Sequence, residues 1–487
     1  MSSTKCLRHS LTYSISRLIE VTIKKLSDEV LLDIFRYYLD ASPRSWPCLV
    51  HICRKWRRIV SASQPALHLR LFCTHRTPLR KILDCWPASL PIVVEYRGSP
   101  GLDPPTPEDE DNIIAVLKQS DRIGSINLTV TNSLLEKLSA IERPFSELED
   151  LVLLSLDCAR LTIPSDFVWG PQLRSLYLTR ITFFALPQLL RSSRNLVDLR
   201  LHEVLNPGLF SPEALTDSLS GMAQLRSLSL HFLPTEDHIG VSQPSRNRAD
   251  LPALTRLDFR GITNYLEDLV AGIDAPRLGD IEVTFFKNSI SDLSRLREFI
   301  DRIGIHKSHH QAHILSSDRA ISISFIQLGV PTRIKLQVFC DRLSEQLSSM
   351  ARFCFHFSSF LHDVEDLRIS ARRQRIWEDG FYSGQWRESM NSFTGVKWFH
   401  LDGNSSMNII WALEPTNGQR ETMLPCMLKL CIPQPSRFDR WEEVAVSFMT
   451  SRRLSGRLIA LEYERLCDIS ELHGAGKMLL RTTSTTR

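Results

Sequence analysis

The chain has 487 residues, 59 Lys+Arg against 55 Asp+Glu for a formal net charge of +4, 43% apolar residues and 23% charged ones. So small an excess of positive charge argues against nucleic-acid or membrane partners, and the composition is that of a folded globular chain. The 11 cysteines include no CxxC pair, which argues against a disulfide framework or a zinc module and for a reducing compartment, cytoplasmic and/or nuclear.

In chain order, residues 1–23 read as a flexible leader; Lys5, Arg8 and Arg17 with no acid among them also suit a mitochondrial transit peptide. Ser27, followed by Asp28 and Glu29, marks a helix start, a cap with acids in the electropositive first turn. Val30, Leu31, Ile34 and Phe35 recur at helical spacing, and Ser42-Pro43 ends the helix. A second helical run places Leu49, Val50, Ile52, Cys53 and Trp56 on one stripe, with Arg54, Lys55, Arg57 and Arg58 elsewhere. A unit this small buries little of its own surface and leans on a partner.

Residues 24–72 resemble the F-box, the helical module that docks on a Skp-family adaptor within cullin–RING ubiquitin ligases. The carriers are Leu26, Glu29, Val30, Leu31, Ile34, Phe35, Leu49, Val50, Cys53, Lys55 and Trp56, with CRKWRRIV (53–60) the most specific string. The resemblance implies that Leu26, Val30, Leu31, Ile34, Phe35, Leu49, Val50, Cys53 and Trp56 meet the adaptor. Ser27 departs from the proline usual there. A plain helical cap on the next domain is the alternative.

Residues 73–119 read as a connecting segment, with 98–112 (GSPGLDPPTPEDEDN) a proline-rich acidic loop. From 120 to 468 a repeat dominates. Six windows share the form apolar-x-x-apolar-x-apolar-x-x-apolar, starting at Leu148, Leu173, Leu196, Leu225, Leu254 and Leu278. Their starts lie 25, 23, 29, 29 and 24 residues apart, the period of leucine-rich repeats, in which each unit gives one short strand and a return segment. The Asn or Cys usual at the ninth position is replaced by an apolar residue, so irregular repeats are expected. Weaker copies lie at Ile123/Ile126/Leu128, Val364/Leu367/Ile369, Val396/Phe399/Leu401 and Leu428/Leu430. Residues 183–192, 211–222 and 265–273 suggest short convex-side helices, 234–252 a long surface loop and 469–487 a disordered tail. The fold class is therefore α/β: a small all-α F-box module followed by an irregular leucine-rich-repeat solenoid. A doubly wound domain would need longer crossover helices and a glycine-rich strand-to-helix turn.

Strings such as PQLRSLYL (171–178), LVAGIDAPRL (269–278) and SFMTSRRLSGRLIALEYERL (447–466) are similar to the F-box proteins abundant in basidiomycete fungi, a likeness spanning nearly the whole chain. It implies a non-enzymatic substrate-recognition subunit of an SCF-type ubiquitin ligase. The implied partners are a Skp-family adaptor, a cullin scaffold and an unknown protein target. A leucine-rich-repeat scaffold outside the ubiquitin system is the alternative.

Chemistry-bearing motifs are sparse, and no catalytic residue, cofactor or metal is expected. HExxH, GxSxG, Walker A and Rossmann fingerprints are absent from the sequence. Gly474-Ala-Gly476-Lys477 only echoes a phosphate loop. His306, His309, His310 and His313 have helical spacing for a metal but read better as a polar turn before a strand near Ile314. Arg452-Arg453-Leu454-Ser455 suits a basophilic kinase or a helix C-terminus, and Asp109-Glu110-Asp111 reads as solvated surface. On leucine-rich strands the residues between buried leucines point to the concave face. That row supplies the target-binding candidates Tyr177, Arg200, His202, His231, Arg256, Asp258, Arg260 and Glu282.

Overall fold

The computed structural model describes residues 26–41, 46–62, 69–77, 79–85, 91–96, 104–141, 143–156, 161–163, 171–183, 186–204, 211–233, 248–286, 290, 292–304, 310–326, 333–371, 383–402, 406–413, 423–433, 441–454 and 456–464. The suggested leader, the tail, Gly474 to Lys477 and the kinase-type Ser455 lie outside them. The chain divides into two compact units, residues 1–184 and 185–487.

In the first unit, helix α1 (Asp28–Ala41) begins as its sequence dictates. The Val30 amide donates to Ser27 Oγ at 3.3 Å and the Leu31 amide to the Ser27 carbonyl at 3.1 Å. The single second helix suggested by the apolar stripe is instead two, α2 (Trp46–Ile52) and α3 (Arg54–Ala62), parted at Cys53. Cys53 takes the N-cap role: its Sγ accepts from the Trp56 amide at 3.5 Å and its carbonyl from the Arg57 amide at 3.1 Å. Leu31, Phe35, Leu49, Val50, Ile59 and Val60 are buried, with the Phe35 and Trp56 rings 4.6 Å apart. Lys55 ties the ends, donating to the Leu26 carbonyl at 2.8 Å and lying 3.3 Å from Asp28.

Strands β1 (Leu69–Phe72), β2 (Ile92–Tyr96), β3 (Ile123–Val130), β4 (Asp150–Ser155) and β6 (Ser175–Thr179) form a parallel sheet in that order. A small parallel pair, β5 (Leu161–Ile163) and β7 (Ile181–Phe183), accompanies it. Register places Leu71 opposite Val94, Val94 opposite Ile126, Ile126 opposite Leu151 and Leu151 opposite Leu176, all buried. The strand ladder thus starts before the first repeat that the leucine spacing reveals.

Between the strands run α4 (Leu79–Cys85), α5 (Pro107–Leu117) and α6 (Asn132–Ser139). The supposed acidic loop overlaps α5, whose first turn is a capping box: the Asp109 amide donates to Thr106 Oγ1 at 3.2 Å and the Thr106 amide to Asp109 at 3.0 Å. Of its acids Asp109 and Glu110 are buried and not solvated surface, whereas Asp111 is exposed as expected. Asp109 also takes the His75 amide, and Glu110 accepts from the Thr131 and Ser133 hydroxyls beside Lys137. Burial by itself would raise the Asp109 pKa, but these hydrogen bonds from Thr106 and His75 hold it below the ordinary range.

The second unit combines β8 (Asp198–Val204), β9 (Ser227–Phe232), β11 (Arg256–Gly261), β13 (Asp280–Phe286), β14 (Gln311–Ser316), β15 (Ala320–Ile326), β16 (Arg333–Phe339), β17 (Asp366–Ala371), β18 (Trp398–Asp402), β19 (Lys429–Pro433) and β20 (Ala460–Glu464) with helices. These are α7 (Leu186–Ser192), α8 (Pro212–Leu219), α9 (Thr263–Ala271), α10 (Ser294–Ile303), α11 (Leu343–His356), α12 (Ser358–Leu361), α13 (Ser383–Met390), α14 (Ser406–Leu413) and α15 (Trp441–Leu454). The spatial order is β8-β9-β11-β13-β16-β15-β14-β17-β18-β19-β20, parallel except that β15 runs against both neighbours. In register stand Leu199, Leu228, Leu257, Ile281, Ile334, Phe325, Ala312, Leu367, Phe399 and Leu430, every one buried.

One sequence reading is corrected here, and two that had alternatives are decided. Residues 234–247 lie outside the described part, but the end of that suggested loop forms strand β10 (Ala249–Asp250), paired with β12 (Ile273–Asp274), with Ala249 and Leu251 buried. His313 sits in β14, the strand expected near Ile314, and shares no helical face with His310, while His306 and His309 lie outside the described residues. Arg452 is 3% exposed, its guanidinium donating to the Met423 carbonyl over the Phe448 ring, and burial first, then Arg457, lowers its pKa to about 10. With Arg453 it stands in the last turn of the helix Trp441–Leu454, the helix C-terminus that the sequence offered as one reading of the motif.

Candidate functional site

Strand alternation decides which side chains of the second unit face away from the apolar column. Every second residue joins the leucine column, and the others stand on the opposite face. Registers bring Arg200, Ser229 and Asp258 abreast, and likewise His231 with Arg260, Asp258 with Glu282, and Glu282 with Lys335. Of the target-binding candidates, Arg200, His202, His231, Arg256, Asp258, Arg260 and Glu282 therefore share one face; Tyr177 belongs to the first unit, half-buried on β6 opposite Val152.

At the centre lies a histidine pair. The His202 and His231 rings stack with centroids 4.0 Å apart and planes 7° from parallel. Ser229 is 2.8 Å from His202 Nε2, 3.4 Å from His231 Nε2 and donates to Asp258 Oδ2 at 3.2 Å; Asp258 Oδ1 is 3.0 Å from His231 Nε2. Burial, then the neighbouring His231, pushes the His202 pKa down to about 4. Burial tends to raise the Asp258 pKa, but the hydrogen bond and charge of His231, with Ser229 and Arg256, hold it below the usual carboxylate range.

The set contains Ser, His and Asp, yet its geometry is not a nucleophile relay. Ser229 and Asp258 address the same imidazole nitrogen of His231, where a relay needs the carboxylate on the far one. Ser229 is also 5% exposed and mid-ladder, with its strand paired on both sides, so no free amide pair awaits an oxyanion. The contacts fix side chains in place.

Around this centre the charges are cross-linked. Arg200 contacts Asp198 at 2.6 Å, Arg256 lies 3.7 Å from Asp280, and Arg333 reaches both Asp280 (3.5 Å) and Glu282 (2.8 Å). Lys335 contacts Glu282 at 2.6 Å. Sequence reading missed Arg333 and Lys335, although RIKLQVF alternates strictly and could have shown β16. It missed a second polar group too. His313 lies 2.9 Å from Ser370, which donates to Asp402 at 2.9 Å, while His400 is 3.3 Å from Asp366.

The residues assigned to adaptor contact separate into two sets. Leu31, Phe35, Leu49 and Val50 are buried and so offer no surface for contact. Val30 and Ile34 are each 45% exposed, and Cys53 is exposed while Leu26 and Trp56 are half-buried. Ile52 (57% exposed), from the second apolar stripe, and Tyr37 (79%), which sequence spacing did not assign, add apolar surface.

Among the described residues no group of three or more His, Cys, Asp or Glu is placed to hold a metal ion, and no helix is long and apolar enough to cross a membrane. No protein-family model matches the chain, and no curated protein shows significant similarity to it.

Proposed function

We propose that this chain is a non-catalytic recognition subunit of an SCF-type ubiquitin ligase: its N-terminal helices dock on a Skp-family adaptor and its strand face holds a protein target. The observation that carries the recognition role is the strand face itself, a charged and hydrogen-bonded row fixed by an in-register ladder over a continuous apolar column. A rigid array of this kind binds without paying much ordering entropy. Catalysis then comes from proximity, since the target is brought to the ligase without any side chain of this chain entering the chemistry.

The adaptor half rests on the F-box resemblance together with the exposed Val30, Ile34, Tyr37 and Ile52 on the small helical unit. Exposed apolar side chains gathered on a unit of this size mark an interaction surface. Co-purification of the full chain with a Skp-family adaptor, with mass spectrometry of whatever else is retained, tests both halves. Adaptor and one or more further proteins are expected together. Retained proteins without adaptor would favour a scaffold outside the ubiquitin system, for which the internal use of Leu31 and Phe35 speaks.

A further inference from the structure

On the strand face almost every cation is answered by a carboxylate of the same face, as Arg200, Arg256, Arg333 and Lys335 are. Arg260 differs. It is exposed and has no carboxylate or carbonyl partner among the described residues. Its guanidinium instead lies over two rings, 5.2 Å from the Phe286 centroid and 4.8 Å from that of Phe339. The two phenylalanines stand opposite each other in the β13–β16 register, and Arg260 stands between His231 and Thr284 in the row below.

Such a platform restricts the guanidinium while leaving the N–H groups along its edge to meet a ligand. From β9 to β16 the face carries Arg256, Arg260, Arg333 and Lys335 against Asp258, Asp280 and Glu282, four cations to three carboxylates with His231 hydrogen-bonded to Asp258. The surplus is a single charge, and it resides on the residue with no partner.

We infer that Arg260 is the anchor for one carboxylate, an Asp or Glu side chain on an extended segment of the bound protein. This rests on the recognition role proposed above and names the chemistry recognised. A carboxylate takes two parallel N–H bonds in the guanidinium plane and needs no movement of the rings. It also neutralises the surplus, whereas a phosphorylated side chain, at about −1.5 to −2, overshoots it. If Arg260 served only to shield the rings from water, its charge would be dispensable.

The test uses the full chain on arrays of peptides with randomised flanks and a central residue fixed as Glu, Gln or phosphoserine. Wild type is expected to retain the Glu series about tenfold over Gln and above phosphoserine, the worth of a charge-assisted pair over a neutral one. Arg260→Met, which still covers the rings, loses that preference with an unchanged melting temperature. Arg260→Lys keeps the charge without the fork and falls between them. Phe339→Leu retains the guanidinium on half its platform and weakens the preference several-fold, an independent reading should Arg260→Met fold poorly. Equal retention of Glu and Gln by wild type, or a Glu preference that survives Arg260→Met, overturns the anchor; stronger retention of phosphoserine overturns the carboxylate. Adaptor co-purification is measured on the same proteins and is indifferent to Arg260. Its absence in wild type would remove the ligase role and leave the carboxylate anchor standing.

Discussion

Replacing Leu228 with Ala probes the column on which the strand face depends. Leu228 is fully buried between Leu199 and Leu257, which stand opposite it on both flanking strands. Removing three carbons at ~0.8 kcal/mol each costs ~2.4 kcal/mol in transfer alone. Neighbours fixed by two ladders collapse little into the void, so the cavity term adds to this and the total is ~3–5 kcal/mol. Arg200→Ala, on the opposite face with its guanidinium half-exposed beside Asp198, costs within ~0.5 kcal/mol. Ser229→Ala falls between, at ~1–3 kcal/mol, because His202 and Asp258 each lose a buried partner. Urea unfolding followed by hydrogen exchange in residues 198–261 reads all three, the exchange locating the loss along the strand ladder. Equal destabilisation by Leu228→Ala and Arg200→Ala would refute the strand register and the face drawn from it.

Other expectations follow from the same geometry. Val30→Lys with Ile34→Lys leaves the melting temperature near wild type while abolishing adaptor co-purification, whereas Phe35→Ala, at a site with 0% exposure, costs ~3–5 kcal/mol, as a melt on each variant shows. The His202 pKa is depressed in the folded state to about 4, so the unfolded chain takes the proton first on acidification; stability present above pH ~6.5 is lost as pH falls toward 4. Urea midpoints across that window should fall less in His202→Asn. Gly395→Ala places a methyl group where the His362 carbonyl stands, and overpacking of ~1–3 kcal/mol should appear in the same unfolding assay.

Much of the fold was legible because the leucine period is also the structural period. All six windows contain strands, α7 and α8 fall within the segments whose pattern suggested helices, and α9 overlaps the third. The hairpin turning into β15 was harder to see as part of the sheet. Its strands at 311–316 and 320–326 alternate with period two, but the reversal of direction breaks the repeat spacing that organises the rest. Helix α5 was hidden by composition, since a proline-rich acidic stretch reads as loop until Thr106 and Asp109 are seen to cap one another. At the candidate site, alternation identified which side chains face outward but not which are satisfied. Spacing gives Arg256 and Arg260 the same standing, and only the three-dimensional arrangement pairs the first with Asp280 and sets the second on Phe286 and Phe339. The helical unit shows the converse limit: helical periodicity marks an apolar face, yet burial divides it into Leu31 and Phe35 within and Val30 and Ile34 without.

Hydrogen exchange of the full chain with and without a Skp-family adaptor tests the proposed receptor role most directly. The account predicts added protection in residues 28–41 and 46–52, centred on Val30, Ile34 and Ile52, with the strands at 198–339 unchanged. Absence of added protection at saturating adaptor, or protection confined to the strand face, would contradict it.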